Sequence, residues 1–515
     1  MTRFTLLLVA FALALAPQLA TAGGLYIPGY GSQAQPRGGA FTAKADDATA
    51  LFHNPAGLAK QSGTAIHIGF NFVDFSQTFQ REGVYETDPL GEHPWDGEAY
   101  PQVTNESKPA LGFGSIAAIP LIAVATDLGL DLPIVFGAGV LAAHGYPYRN
   151  IEDDYIFEDP TTAPPPSRYD VIQQEATATN FTVGAAYKIK DTLSVGLTVA
   201  WGIAELKARK NLWGIRNYEE AVASDGEVIF DAKDNFVPGF GIGVMWAPTP
   251  MFELGANYRS ASKVAAKGPT RSQLGTGVGL PGEPDAIIPD DDAFCQEGGT
   301  AAAVRGCLSV TLPQTAAIGG RFVVRDGTFE RADVEFDVKW EDWSAGSDYL
   351  AVVDGQSMLL GKRLEDVVSR HGLRDTFSFR LGGSYNMPLG GNLLSLRAGA
   401  AYDTAAAPLS FTRLDLDGFA RTTLGVGLGF EFSRFRIDLG GGAVIEGDRT
   451  VETCNPDVAN PGCDGSGTDM AVADRESPDP EQPLQGPLNQ TQSPFNGGTY
   501  TQSYVLFSLG FTARF

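Results

Sequence analysis

The chain has 515 residues, 43 % of them hydrophobic, and a net charge of −24 at neutral pH. So acidic a balance argues against a nucleic-acid partner, since phosphates repel such a surface, and points to acidic loops in solvent. No long uncharged apolar run follows the N-terminus, which excludes membrane helices but not a barrel, because barrels cross lipid on half-apolar strands of about 9–11 residues.

Arg3 precedes an apolar stretch from Phe4 to Ala16, which Pro17 breaks, and Ala20-Thr21-Ala22 supplies small residues for cleavage. Residues 1–22 therefore read as a secretory signal peptide. They are too short to anchor a chain that needs about 20 apolar residues to span a bilayer. Residues 23–62 are glycine-rich, too irregular for a strand and too long for a simple lead-in. Lying before the first strand, they can fold up into a bore as a plug.

From residue 63 to 515 the pattern alternates apolar and polar, as in a strand that sends successive side chains to opposite faces. About fourteen strands are expected, beginning near Thr64, Pro109, Pro133, Glu175, Thr192, Asn235, Met251, Leu308, Thr328, Asp375, Leu393, Arg421, Phe435 and Thr499. The clearest run sets Ala332, Val334, Phe336, Val338 and Trp340 against Asp333, Glu335, Asp337, Lys339 and Glu341. The first set suits lipid. The second must stay wet or paired, because a bare charge in hydrocarbon costs several kcal/mol. Short links such as Lys190-Asp191, Asp326-Gly327 and Ser433-Arg434 alternate with long ones such as 146–174 and 447–498. That sorting matches short periplasmic turns and long outer loops. The last strand puts Val505, Phe507, Leu509, Phe511, Ala513 and Phe515 on one parity, as a closing barrel strand does. The fold class expected is all-β: a transmembrane antiparallel β-barrel of about 14 strands, its lumen plugged by an N-terminal hatch.

Two loop features stand out. Ser357 to His371 spaces Met358, Leu359, Leu364, Val367 and Val368 like an amphipathic helix. Cys295, Cys307, Cys454 and Cys463 form two close pairs in loop-like stretches. In an exported chain they suggest two local disulfides; metal binding is the alternative, with no histidine near either pair.

Gly38-Gly39-Ala40, Ala45-Asp46-Asp47-Ala48 and Asn54-Pro55-Ala56-Gly57-Leu58 resemble the N-terminal hatch signature of the FadL-type outer-membrane long-chain fatty acid transporters (OMPP1/FadL/TodX). Leu254 to Ser260, Leu312-Pro313, Ala332 to Glu335 and Arg397 to Asp403 follow in the family order. The resemblance implies a fourteen-stranded monomeric barrel closed by a hatch carrying Asp46, Asp47, Asn54, Pro55 and Ala56. Hydrophobic molecules, fatty acids or aromatic hydrocarbons, would pass through it into outer-membrane lipid. It also implies that Leu25, Tyr26 and Ile27 at the mature N-terminus reach an inner pocket, and that the third strand is kinked. Gly137 and Gly139 in LPIVFGAGVLAAH are the positions where that strand can bend.

Parity places Arg259, Arg321, Arg380, Arg397 and Arg436 in the lumen. Any of the first four could grip a carboxylate through paired hydrogen bonds. The alternative is ion pairing with Asp333, Glu335, Asp337, Glu431 and Asp438. Asp46 and Asp47 could cap a hatch helix or pair with these arginines; Asn54-Pro55 suits a tight turn. No cofactor and no enzyme activity is expected. His53, His67, His93, His144 and His371 stand in five separate contexts, without a G-x-S-x-G elbow or an H-E-x-x-H pair. An adhesin or receptor built on the acidic loops is a further alternative.

Overall fold

The computed structural model describes residues 29–515 apart from 86–91, 145–147, 213–221, 223–224, 275–304, 355–366, 452–496 and positions 107, 110, 153, 158, 160 and 417. The signal-peptide expectation, residues Leu25 to Ile27, and Cys295, Cys454 and Cys463 lie outside the described residues. Cys307 is disulfide-bonded.

Fourteen antiparallel strands close into a barrel. They are β1 (Thr64–Arg81), β2 (Ile116–Thr126), β3 (Ile134–His144), β4 (Gln173–Lys190), β5 (Leu193–Leu212), β6 (Gly226–Thr249), β7 in two segments (Phe252–Arg259 and Ser262–Leu274), β8 in two segments (Arg305–Leu312 and Thr315–Asp326), β9 (Phe329–Glu341), β10 (Thr376–Leu389), β11 (Asn392–Asp403), β12 (Arg421–Phe432), β13 (Phe435–Glu446) and β14 (Gly498–Arg514). Closure is made by β14 on β1, in register from Ala65↔Arg514 to Arg81↔Gly498. No edge is left between them, as lipid requires.

Side-chain alternation does what the last strand predicts. Val505, Phe507, Leu509 and Phe511 are exposed on the outside, while Leu506, Ser508 and Thr512 are buried within. Leu424, Val426 and Leu428 of β12 repeat the pattern. On β5, Leu197, Val199 and Trp201 are exposed apolar residues, and Glu205 and Lys207 follow. The apolar band therefore ends near Trp201. β5 (20 residues) and β6 (24 residues) run well past the length a bilayer needs.

Four expectations need correction. The second strand begins at Ile116, not near Pro109, and the sixth at Gly226, upstream of Asn235. The eighth is divided at Pro313-Gln314, because proline cannot donate to a ladder. Of the stretch predicted as a helix over 357–371, residues 357–366 lie outside the described residues, and its end, Val367–Arg370, is a strand paired with Asp348–Asp354. Adjacent β-branched Val367 and Val368 favour that pairing over a helix.

Candidate functional site

Residues 29–62 sit inside the bore, and nearly all are buried. Helix α1 (Ala50–His53) and two 3₁₀ turns, Gln35–Arg37 and Pro55–Lys60, are their regular elements. Four consecutive backbone donors of the plug, Phe41 to Lys44, find their acceptors on the wall. Phe41 and Thr42 N–H donate to Asp337 Oδ2, each at 3.0 Å. Ala43 N–H donates to Glu335 Oε1 at 2.6 Å. Both carboxylates belong to β9, the strand whose inward charges the sequence had placed in a wet lumen. Arg37 completes the seat. It is fully buried and bonds Asp333 at 2.7 Å, Glu335 at 3.1 Å and the Ser384 hydroxyl. Buried charges are tolerable only when matched in this way.

Wall glycines give the plug its room. A Cβ on Gly399 would lie 2.2 Å from the Arg37 carbonyl oxygen. Gly196 and Gly243 pair across β5 and β6. A Cβ on Gly196 would lie 2.3 Å from Pro55 C, and one on Gly243 would lie 2.0 Å from Asn54 Oδ1. The Asn54-Pro55 corner thus rests on a paired-glycine floor.

The hatch residues singled out in the sequence make the following contacts. Asn54 caps the turn after it by accepting from Ala56 N–H at 3.2 Å. Its Nδ2 donates to the Thr42 carbonyl at 2.9 Å and to Val244 of β6 at 3.2 Å. Asp47 accepts from Thr49 N–H at 2.8 Å and from Gln33 Nε2 at 2.7 Å. Thr49 occupies the N-cap of α1, and no side chain bonds there. Asp46 pairs with Lys44 at 2.6 Å rather than with an arginine. Burial alone would raise its pKa; Lys44, Arg321 and Lys60 outweigh that and hold the carboxyl well below the usual range. Unforeseen in the sequence were Arg37, Gln33 and His53. His53 Nε2 lies 2.9 Å from the Tyr30 carbonyl, and Phe41 meets its ring edge-on at 5.1 Å.

The four candidate arginines divide. Arg321 is committed to Glu253 (3.0 Å), Asp333 (3.1 Å) and Glu330. Arg397 pairs with Asp438 at 2.8 Å, which Arg436 also holds at 3.0 Å. Arg259 bonds only an uncharged group, the Phe52 carbonyl at the end of α1. Arg380 makes one long bond, 3.4 Å, to the Gly39 carbonyl, and its buried Nε has no partner. Among the described residues no carboxylate forms an ion pair with Arg259 or Arg380. Both act electrostatically on Tyr30, whose phenol burial raises above its ordinary value. Of the four candidate arginines, these two, both beside Tyr30, are the ones without a carboxylate partner among the described residues.

Gly137 and Gly139 lie in an unbroken part of β3, paired on both sides. The register shift comes later, between Leu141 and His144. Leu51 and Leu58 of the hatch cover Gly137, and Phe52 and Leu51 cover Gly139. Among the described residues no cluster of His, Cys, Asp and Glu could hold a metal ion. His67 meets the Thr512 hydroxyl at 2.9 Å and His371 meets Asp415 at 3.0 Å, far apart along the chain.

The family model described as "Outer membrane protein transport protein (OMPP1/FadL/TodX)" matches residues 13–471. No curated protein matches the chain. Among solved structures, a Pseudomonas aeruginosa FadL homologue is similar at 17 % identity and a TM-score of 0.68, covering 96 % of this chain and all of that one. The Ralstonia pickettii toluene transporter TbuX is similar at 15 % identity and 0.58, over 95 % of this chain and 99 % of its own. The Pseudomonas putida toluene transporter TodX gives 15 % and 0.59 over the same shares. At such identities the likeness is one of fold.

Proposed function

Because the chain belongs to the OMPP1/FadL/TodX family of outer membrane transport proteins, we propose that it carries long-chain fatty acids or similar hydrophobic molecules passively across the outer membrane. The hatch is the gate, the protein acts as a monomer, and the ligand leaves sideways into the bilayer. An acyl chain gains about 0.8 kcal/mol for each methylene taken out of water. With residues 29–62 filling the bore, passage on this reading runs through apolar pockets opened by displacing the plug.

The observation that favours a carboxylate-bearing ligand is the pair Arg259 and Arg380. A guanidinium in a bore is ordinarily matched by a carboxylate, as Arg37, Arg321 and Arg397 are. An incoming head group supplies the missing anion. Uptake of aromatic hydrocarbons is the competing reading, since two of the similar structures are described as toluene transporters; a neutral ring has no use for the two cations.

Equilibrium binding of oleate and of toluene to detergent-purified protein separates the two. A charge-assisted bond contributes about 1.5–3 kcal/mol, so Arg380→Ala should weaken oleate roughly 10- to 150-fold and leave toluene unchanged. If Arg380→Ala binds oleate as wild type does, the carboxylate reading is wrong.

A further inference from the structure

The link between β11 and β12, residues 404–420, breaks the usual rule that connections run over the surface, where their backbone groups meet water. None of its described side chains is exposed. Its sequence accounts for this: Leu409, Phe411, Leu414, Leu416 and Phe419 favour a place out of solvent. The base of the link is pinched. Ala407 N–H donates to the Gly418 carbonyl at 3.2 Å, and a Cβ on Gly418 would lie 2.5 Å from that of Ala407. Residues 407–418 therefore make a compact loop whose ends touch, an Ω-loop.

This loop is folded into the mouth of the bore. On one side Leu414 and Phe419 join Phe79 of β1, Tyr500 of β14, and Ile151 and Val171 of the β3–β4 link. On the other, Ala406, Ala407 and Leu416 join Trp343 and Leu373 of the β9–β10 link. Tyr30 of the hatch packs against this second cluster and against the core of the hatch itself. The loop thus lies across the outer mouth and reaches the plug at the ring that stands beside Arg259 and Arg380.

Side chains of other links hold it there. Buried Asp170 accepts the Leu414 N–H and pairs with Arg413 at 3.1 Å. Arg149 Nε donates to the Leu414 carbonyl. Arg449 reaches the Thr412 hydroxyl at 3.1 Å and the Ala407 carbonyl at 3.2 Å. His371 Nε2 lies 3.0 Å from Asp415 Oδ2. No described residue of 404–420 belongs to a strand. The loop can therefore rise about its pinched base by breaking side-chain bonds and apolar contacts, with the barrel ladder intact.

We propose that residues 407–418 are an outer lid on the ligand route, latched in the present state by Asp170 to Arg413 and Leu414, and raised to admit an acyl chain or comparable apolar molecule to Tyr30 and the arginines beside it. The lid is separate from the hatch and closes the route from the outside. What it admits rests on the transport reading above; that it moves does not.

Two measurements test it. Leu416, 2 % exposed, is changed to cysteine, and a maleimide that cannot cross membranes is added outside intact cells. Oleate association with detergent-purified protein is followed by stopped flow. A route open only part of the time slows entry by that fraction, so Asp170→Ala should speed both labelling and association about tenfold or more. If Asp170→Ala does not insert, Arg413→Ala removes the partner on the lid and should act in the same direction. Asp170→Cys with Arg413→Cys supplies the lock: joined by a short bis-methanethiosulfonate it should associate slowly, and reduction should release it, while wild type ignores both treatments. Labelling and association unchanged in both alanine variants, or fast association through a bridge verified by mass, overturns the lid and leaves the transport reading standing. Faster labelling in a protein whose wild type binds neither oleate nor toluene sinks the transport reading and keeps the lid.

Discussion

His53 is a residue of the plug whose protonation should respond to acidity. Burial, reinforced by Arg259, Arg380 and Lys339 and partly offset by the Tyr30 carbonyl, pushes its pKa down to about 3. Displacing the hatch would return the imidazole to its ordinary value of about 6.5. Between these values the displaced state binds more protons than the seated one, so the seat is strongest above about pH 6.5 and weakens as pH falls through the window. The slope approaches 1.4 kcal/mol, roughly, per pH unit. Amide hydrogen exchange in residues 40–60, corrected for intrinsic rates, should accelerate between pH 7.5 and 5 in wild type. His53→Gln should flatten that dependence. A variant as pH-sensitive as wild type would remove His53 from the account.

At the scale of elements, strands were legible and the plug's anchors were not. β9 and β14 announce themselves because alternation is local: each residue's neighbour two places on carries the signal. The bond from Arg37 to Asp333 spans 296 residues, and nothing local to either reveals it. Parity did place Asp333, Glu335 and Asp337 in the lumen, yet not that two of them would accept hatch N–H groups. The outer loops show the same long-range dependence. Asp225, fully buried, accepts from Tyr169 Oη at 2.9 Å and from Arg168 Nε at 3.3 Å. Asp225→Ala removes the carboxylate that Arg168 and Tyr169 share, and breaking a buried pair costs about 3–5 kcal/mol. Limited proteolysis should then cut the link between β3 and β4 near residues 150–172 much faster than in wild type, while the barrel resists. Equal cutting in both would mean that the pair does not hold this loop.

The whole molecule must satisfy two solvents across one layer of backbone, and adjacent residues can be used to separate them. Leu197 of β5 faces outward, 53 % exposed, four residues above its turn. Gly196 beside it faces the plug, and a Cβ there would lie 2.3–2.6 Å from atoms of Pro55 and Ala56. Leu197→Arg puts a charge against acyl chains. It should lower barrel stability by about 2–4 kcal/mol if the site is near mid-membrane. Folding titrations into lipid vesicles measure this, and single-molecule conductance should stay at the wild-type level because the plug is untouched. Gly196→Val reverses the pattern. The barrel still closes and keeps its heat-modifiable migration, but the Asn54-Pro55 corner loses its floor, and the protein conducts ions. If Leu197→Arg opened the bore, or Gly196→Val left it sealed, the assignment of the two faces would be wrong. A stable lipid-facing wall and a removable stopper are independent only because the strand's two-residue period keeps them on opposite sides.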